Sequence, residues 1–399
     1  MIINNSTRNV SNFSFHPVVL KNTEKGNNDP EDSASISNTY NESGNFYKIG
    51  STNSGCNTSA FPCSNESKST LPSAILPEPC NTSGTFYSGD FIKPESEYTF
   101  QLYSPDSKDS FQPSSTTIGI VHTNDEHDNT FKKFGRETTI VKQRETIYGD
   151  ENSYIINLGD ITYNGSSKEK NSEFFGPAKA ILNSMGVEFF VPGNHDLEHG
   201  SDFLKENVLS GLEATGLLGN VAYKSGGTLE NIKAYKIEEI NGIKVGFIGV
   251  TTPKSHGEDK KEEDFTVTPI SESLQKLIPQ VKNEGAEITV VLMHEGINTA
   301  RCVAQSIPGI DIIIAGHDHK KTAEEVKNPE GKNTVIVEAG GNTNYVGDMA
   351  IKIDRSSKKI LSINYKLFNT RGVSSDPEVN EIVRKYKNNR SYTDLPSDK

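Results

Sequence analysis

Thr117-Ile118-Gly119-Ile120-Val121-His122-Thr123-Asn124-Asp125-Glu126-His127 begins as a β-branched apolar run and ends in a carboxylate and an imidazole two residues apart. The apolar part reads as a buried strand. Its polar end reads as groups delivered to the strand's C-terminal edge, where open α/β sheets hold their ligands. The same design recurs downstream. Residues 154–158 lead to Gly159-Asp160, and 187–191 to Gly193-Asn194-His195-Asp196. Residues 288–293 lead to His294-Glu295, and 310–315 to Gly316-His317-Asp318-His319. Taken singly, each run has an ordinary explanation: a Gly-Asp turn, a cap, a hydrogen-bonded loop histidine. Those explanations do not account for five such runs in this order.

Between the strands the pattern predicts helices at 177–185, stopped by Gly186, at 203–212, at 274–281 and at 376–386. Residues 234–240 and 243–250 flank Asn241-Gly242, a two-residue hairpin signal. Residues 334–338 read as a strand, and 349–353 with 360–365 as a last hairpin. Helices alternating with buried strands imply an α/β fold, a layered sandwich of two mixed β-sheets flanked by helices. The expected catalytic domain spans 113–370, followed by a helical, polar tail at 371–399.

Residues 1–112 differ in kind. They are rich in Asn, Ser and Thr and poor in periodic apolar positions, so they are expected to form a largely disordered leader. Asn-x-Ser/Thr triplets at Asn12, Asn57 and Asn81 are expected by chance in such a stretch. The whole chain is 33% hydrophobic, has no Trp, and has a mean hydropathy of −0.57, so only part of it can build a core. With 53 acidic against 41 basic residues, the net charge of −12 argues against a nucleic-acid duplex or an anionic membrane as partner. A small phosphate substrate stays open, because bound divalent cations reverse the local field. No run approaches a membrane span and no basic-then-apolar start is visible, which makes the cytoplasm the default location. The leader resembles those of bacterial effectors exported without a signal peptide, which leaves secretion and a protein partner of the leader open. Cys56, Cys63 and Cys80 match no zinc spacing and, with Cys302, read as free thiols, while a disulfide or small metal knot among the first three stays open.

Two-residue spacing in an extended chain would point Asp125 and His127 the same way, and likewise His317 and His319. Carboxylate, imidazole and amide oxygen without thiolate suit two divalent first-row ions, Mn, Fe, Co, Ni or Zn. Asp160 is the natural bridge, since a negative charge must separate two cations about 3.5–4 Å apart. Of the other histidines, His122 reads as packed beside the first strand, His256 as a surface-loop residue and His16 as part of the leader.

The order D-x-H, GD, GNHD, H, GHxH resembles the calcineurin-like metallophosphoesterases. Residues 120–125, 193–200, Gly219-Asn220-Val221, 249–253 and Ala339-Gly340-Gly341 are similar to stretches of the 5′-nucleotidase and 2′,3′-cyclic nucleotide phosphodiesterase branch. The resemblance spans residues 116–368. It implies Asp125, His127, Asp160 and His319 around one metal, and Asp160, Asn194, His294 and His317 around the other. It also implies a hydroxide between the ions as nucleophile, and His195 as general acid oriented by Glu198. Asn194 and His199 are candidate substrate contacts. Two departures stand out. Glu198 sits where the family usually has Asp. The branch's C-terminal domain, which clamps the base between aromatic rings, has no counterpart in residues 371–399.

The expected function is therefore hydrolysis of a small phosphoester, 5′-nucleotidase-like or cyclic-nucleotide phosphodiesterase-like. A phosphoprotein or sugar phosphate is the alternative substrate, and a secreted effector or binding protein on the same fold is the alternative class.

Overall fold

In a computed structural model of the chain, the described residues are 92–103, 114–127, 131–161, 168–252 and 264–389, with the short strands Asn38–Tyr40 and Phe46–Lys48. Those two strands pair antiparallel within the unit Met1–Gly55. All that follows concerns the unit Cys56–Lys399.

Period-two patterning decides how its sheets stack. In the strand Ser115–Thr123, Ile118 and Ile120 face one apolar cluster and Val121 faces another. This strand therefore lies between two cores, as its nearly continuous burial requires. The first core is filled from both sheets: Ile120, Ile156 and Phe189 of one meet Phe247, Val290 and Ile314 of the other. The other clusters carry the helices. Phe134–Tyr148, Lys168–Met185 and Pro377–Asn389 cover the outer face of one sheet; Ile270–Asn283 and Ile297–Ser306 cover that of the other. The result is a four-layer sandwich, helices–sheet–sheet–helices.

The eight-stranded sheet runs Ser96–Gln101, Ile360–Asn369, Tyr345–Asp354, Ser115–Thr123, Ser153–Asn157, Phe189–Phe190, Thr215–Leu217, Ile232–Lys233. The six-stranded sheet runs Tyr235–Ile240, Ile243–Thr251, Ile288–His294, Ile312–Ala315, Asn333–Ala339, Lys321–Lys327. Each holds a parallel block, 115–123 through 232–233 in one and 243–251 through 333–339 in the other. The five polar runs leave the C-terminal ends of these blocks. At the Asn241-Gly242 hairpin both residues have positive φ, 55° and 74°, as a type I′ turn requires.

Several elements differ from expectation. The helix expected from Pro177 begins at Lys168. Proline interrupts one helical hydrogen bond but keeps a helical φ, and the helix continues through it. The helix expected at 203–212 begins earlier and ends sooner, a short α-helix Gly200–Phe203 passing into a π-helical stretch, Leu204–Leu209. The helices Phe134–Tyr148 and Ile297–Ser306 and the strand Lys321–Lys327 were not anticipated. Ser96–Gln101 falls inside the stretch read as leader, yet it is the edge strand beside Ile360–Asn369. Cys302 is exposed and outside any disulfide; Cys56, Cys63, Cys80, His16 and His256 lie outside the described residues. Among the described residues no helix is long and apolar enough to cross a membrane.

Candidate metal centre

Five residues at three of the polar corners have a left-handed backbone. Asp125, His127, Asp160, His317 and His319 have φ of 52°, 44°, 53°, 78° and 54°. The extended geometry expected for Asp125/His127 and His317/His319 is therefore wrong. The chain leaves each strand by a sharp reversal, and that reversal, not strand alternation, turns the side chains inward. The corners brace one another: the Asp125 amide donates to Gly159 O at 3.0 Å, and the Asn342 amide donates to Asp125 O at 2.6 Å. Gly159 and Gly193 are needed for this approach, because a Cβ at either would collide with the other corner's backbone or with Asp160.

Two groups of side chains converge within coordination reach. Asp125, His127 and His319 form one; Asp160, His294 and His317 form the other. The groups share a border. Asp160 Oδ2 lies 3.1 Å from His294 Nε2 and 3.9 Å from both His127 Nε2 and His195 Nε2. Asp125 Oδ1 lies 3.4 Å from His319 Nε2 and 3.9 Å from His294 Nε2. Three of the inward-facing atoms, Asp125 Oδ1, Asn194 Oδ1 and His294 Nε2, are buried without a hydrogen-bond partner among the described residues. Orphaned buried acceptors are expensive. Oxygen and imidazole donors left open toward one another fit a cation. The donor set therefore suits divalent metal.

The opposite edges of the same side chains are fully engaged, which fixes their aim. Asp125 Oδ2 accepts from the His317 amide and Asn124 Nδ2, both at 2.7 Å. Asp160 Oδ1 accepts from the His195 amide at 2.9 Å. His294 Nδ1 donates to Leu158 O, leaving Nε2 to face the centre. Asp196 is the clamp: its carboxylate accepts from the amides of Asp160 at 2.8 Å, Ile161 at 3.3 Å and Gly193 at 2.9 Å. Burial, with Asp160 nearby, pushes Asp196 up to about 7.

The protonation pattern is that of a cation site. Burial would raise Asp160, but His294, His195 and His127 hold it far below the carboxylate range. Asp125 is lowered too: burial opposes, while the nearby His319 and His294 imidazoles prevail. Burial would lower His294, yet Asp160 and Asp125 hold it up to about 10. The centre favours positive charge.

His195 and Glu198 stand beside the centre. His195 Nδ1 bonds Glu198 Oε1 at 2.5 Å, so the extra methylene of Glu does not break the contact. Burial alone would lower the His195 pKa; the Glu198 bond and the Asp160 charge raise it instead. His199 is turned toward Asn171 Nδ2, at 2.9 Å, and the Phe203 ring. Residue spacing did not reveal Asp196 as a clamp, nor Asn220, which ties Thr251 to Thr268 through its side chain. Both sit in quoted runs, but their partners are remote in sequence.

A family model described as calcineurin-like phosphoesterase matches residues 118–321. The chain belongs to that family. Among its relatives is a "Probable 5'-nucleotidase" of Treponema pallidum, 27% identical over 225 residues, covering 52% of this chain and 37% of the relative. Another is a "2',3'-cyclic-nucleotide 2'-phosphodiesterase/3'-nucleotidase" of Haemophilus influenzae, 23% identical, covering 71% of this chain and 51% of the relative. A crystal structure of a 5'-nucleotidase precursor from Thermus thermophilus shares the fold. Its TM-score is 0.59 at 20% identity, over 68% of this chain and 59% of that one. The chain thus spans only about a third to a half of these curated family relatives.

Proposed function

We propose that the chain is a metal-dependent phosphoester hydrolase acting on a nucleotide or cyclic nucleotide. One observation carries the reading: two donor groups with orphaned atoms converge where five strand ends meet. Asp125, His127, Asp160 and His319 would hold one divalent ion, and Asp160, Asn194, His294 and His317 the other. Such ions, from the group Mn, Fe, Co, Ni and Zn, would supply charge neutralisation for the phosphoryl group and a hydroxide nucleophile at neutral pH.

The protein's own groups do the rest. Asp160 stands between the two donor groups, so its charge keeps both in register. His195 holds a proton on Nε2, because Glu198 accepts from Nδ1 and stabilises the imidazolium. From there it can protonate a departing alkoxide, as general acids do. Asn194 Oδ1, buried and unpartnered, is a ligand to the second ion or a contact to the substrate. His199 is engaged by Asn171 and serves the loop more than the substrate.

Turnover of a panel of phosphomonoesters, diesters, sugar phosphates and phosphopeptides tests this, comparing wild type with Asp160→Asn and His195→Asn. Nucleotides as preferred substrates, with loss in both variants, support the reading. An inert wild type carrying two bound ions would transfer the case to a binding protein on the same fold.

A further inference from the structure

The loop Gly341–Asn344 has two sides. One side touches the metal centre: the Asn342 amide meets Asp125 O, and Asn342 Nδ2 lies 3.5 Å from His319 Nδ1. The other side receives Lys133, whose Nζ donates to Asn342 O at 3.1 Å and Asn344 Oδ1 at 3.2 Å. Beyond Lys133 lies a cavity of about 220 Å³, lined by Lys133, Arg136, Asn344, Tyr345, Thr370 and Arg371, with Asn369 at its edge. That volume is several times the roughly 30 Å³ a water occupies.

Its charge is one-sided. Three cationic side chains line it and no acidic one does, in a chain of net charge −12. The nearby lysine, Lys321, is already neutralised by Glu95 at 2.6 Å, and Glu95 also accepts from Asn369 Nδ2 at 2.8 Å. Arg136 and Arg371 are different: among the described residues neither guanidinium makes a hydrogen bond or ion pair. Asn344 spends its oxygen on Lys133, which leaves its amide hydrogens to donate. The open groups of Arg136, Arg371 and Asn344 are all donors. Guanidinium forks match tetrahedral or planar anions in two-point contacts.

We propose that this cavity is an anion subsite, taking a phosphate group one loop away from the metal centre. The anion is either the distal phosphate of a substrate bound at the centre or free inorganic phosphate. The first source rests on the hydrolase reading; phosphate binding itself does not.

Calorimetric titration of inorganic phosphate into chelator-treated full-length protein reads the subsite without metals. Wild type is expected to bind, and Arg136→Gln/Arg371→Gln to bind roughly tenfold more weakly or not at all. Both arginines are exposed, so the double variant is expected to melt like wild type. Metal-loaded protein then separates the sources, using p-nitrophenyl phosphate and a nucleoside 5′-diphosphate. A raised KM for the diphosphate alone, with kcat unchanged, assigns the subsite to the substrate's distal phosphate. Unchanged KM for both, with phosphate binding lost, assigns it to the free anion. Equal phosphate affinity in wild type and double variant, or none in wild type, overturns the proposal. Absent turnover would count against the hydrolase reading and leave the calorimetry to decide this one.

Discussion

The two ends of the parallel strands hold carboxylates in opposite ways. At the C-terminal rim, Asp125 and Asp160 are interleaved with His127, His294 and His319, and both carboxyls are driven below their ordinary range. At the N-terminal rim, Glu145 lies near Asp150 with Lys142 opposing, and Glu188 near Glu145, Glu238 and Asp150 with the Ile155 amide opposing. Burial first, and then like charge, pushes both Glu145 and Glu188 up to about 7. The rims differ in burial, since Asp125 and Asp160 are buried while Glu145 is half-buried and Glu188 exposed, and they differ again in the charges set alongside. Imidazoles turn a cluster of acids into a place for cations; further acids turn it into a place for protons.

Replacing the shared carboxylate breaks this contrast most severely. Asp160→Asn is expected to abolish both metal retention and turnover, measured by metal content after dialysis beside a phosphoester assay. Retention of two ions in that variant would remove Asp160 from its bridging role. His195→Asn is expected to lower kcat by about 10² to 10⁴-fold while both ions remain, the range of a lost general acid. Loss of metal in this variant would recast His195 as a ligand.

The strands were legible because their signal is local: β-branched runs closed by Gly, Asp, Asn or His. The candidate ligands were legible because they lie within four residues of those ends. The helix Phe134–Tyr148 was not. It sets Thr, Lys, Arg and Glu among few apolar residues; Phe134, Ile140 and Val141 bury it in the apolar cluster, while Gly119 against Tyr148 and Asp376 accepting Lys142 fix it from remote segments. Ser96–Gln101 was hidden by its own polarity; as an edge strand it needs only one good partner, Ile360–Asn369. The left-handed corners escaped because Asp and His carry no glycine-like signature, and the bonds that hold them come from distant segments.

Chelation sharpens the contrast from the other direction. Removing metal is expected to lower the melting temperature, by mass action about 2.7 kcal/mol for an ion at a hundredfold its Kd. The drop should be the same in wild type and Glu188→Gln if the two rims act independently. A drop that differs would couple them.

The smallest effect belongs to the acid rim. A carboxyl raised from 4.5 to about 7 contributes stability that is complete below the unfolded value and fades as pH rises through the folded one. Wild type should therefore lose melting temperature between about pH 4.5 and 7. Glu188→Gln, which keeps an acceptor for the Ile155 amide, should lose less and exceed wild type at pH 8. Parallel pH profiles for the two proteins would show Glu188 to be unperturbed.

The five left-handed residues carry a consequence for descent. A non-glycine residue in that conformation costs about 1 kcal/mol, and Asn or Gly bears it more easily than Asp or His. Exchanging a ligand for either would ease the backbone and silence the centre in one step. Lineages released from the need for this chemistry would drift toward quieter, sturdier proteins, and the Asp and His still at these corners are what such drift would erase first.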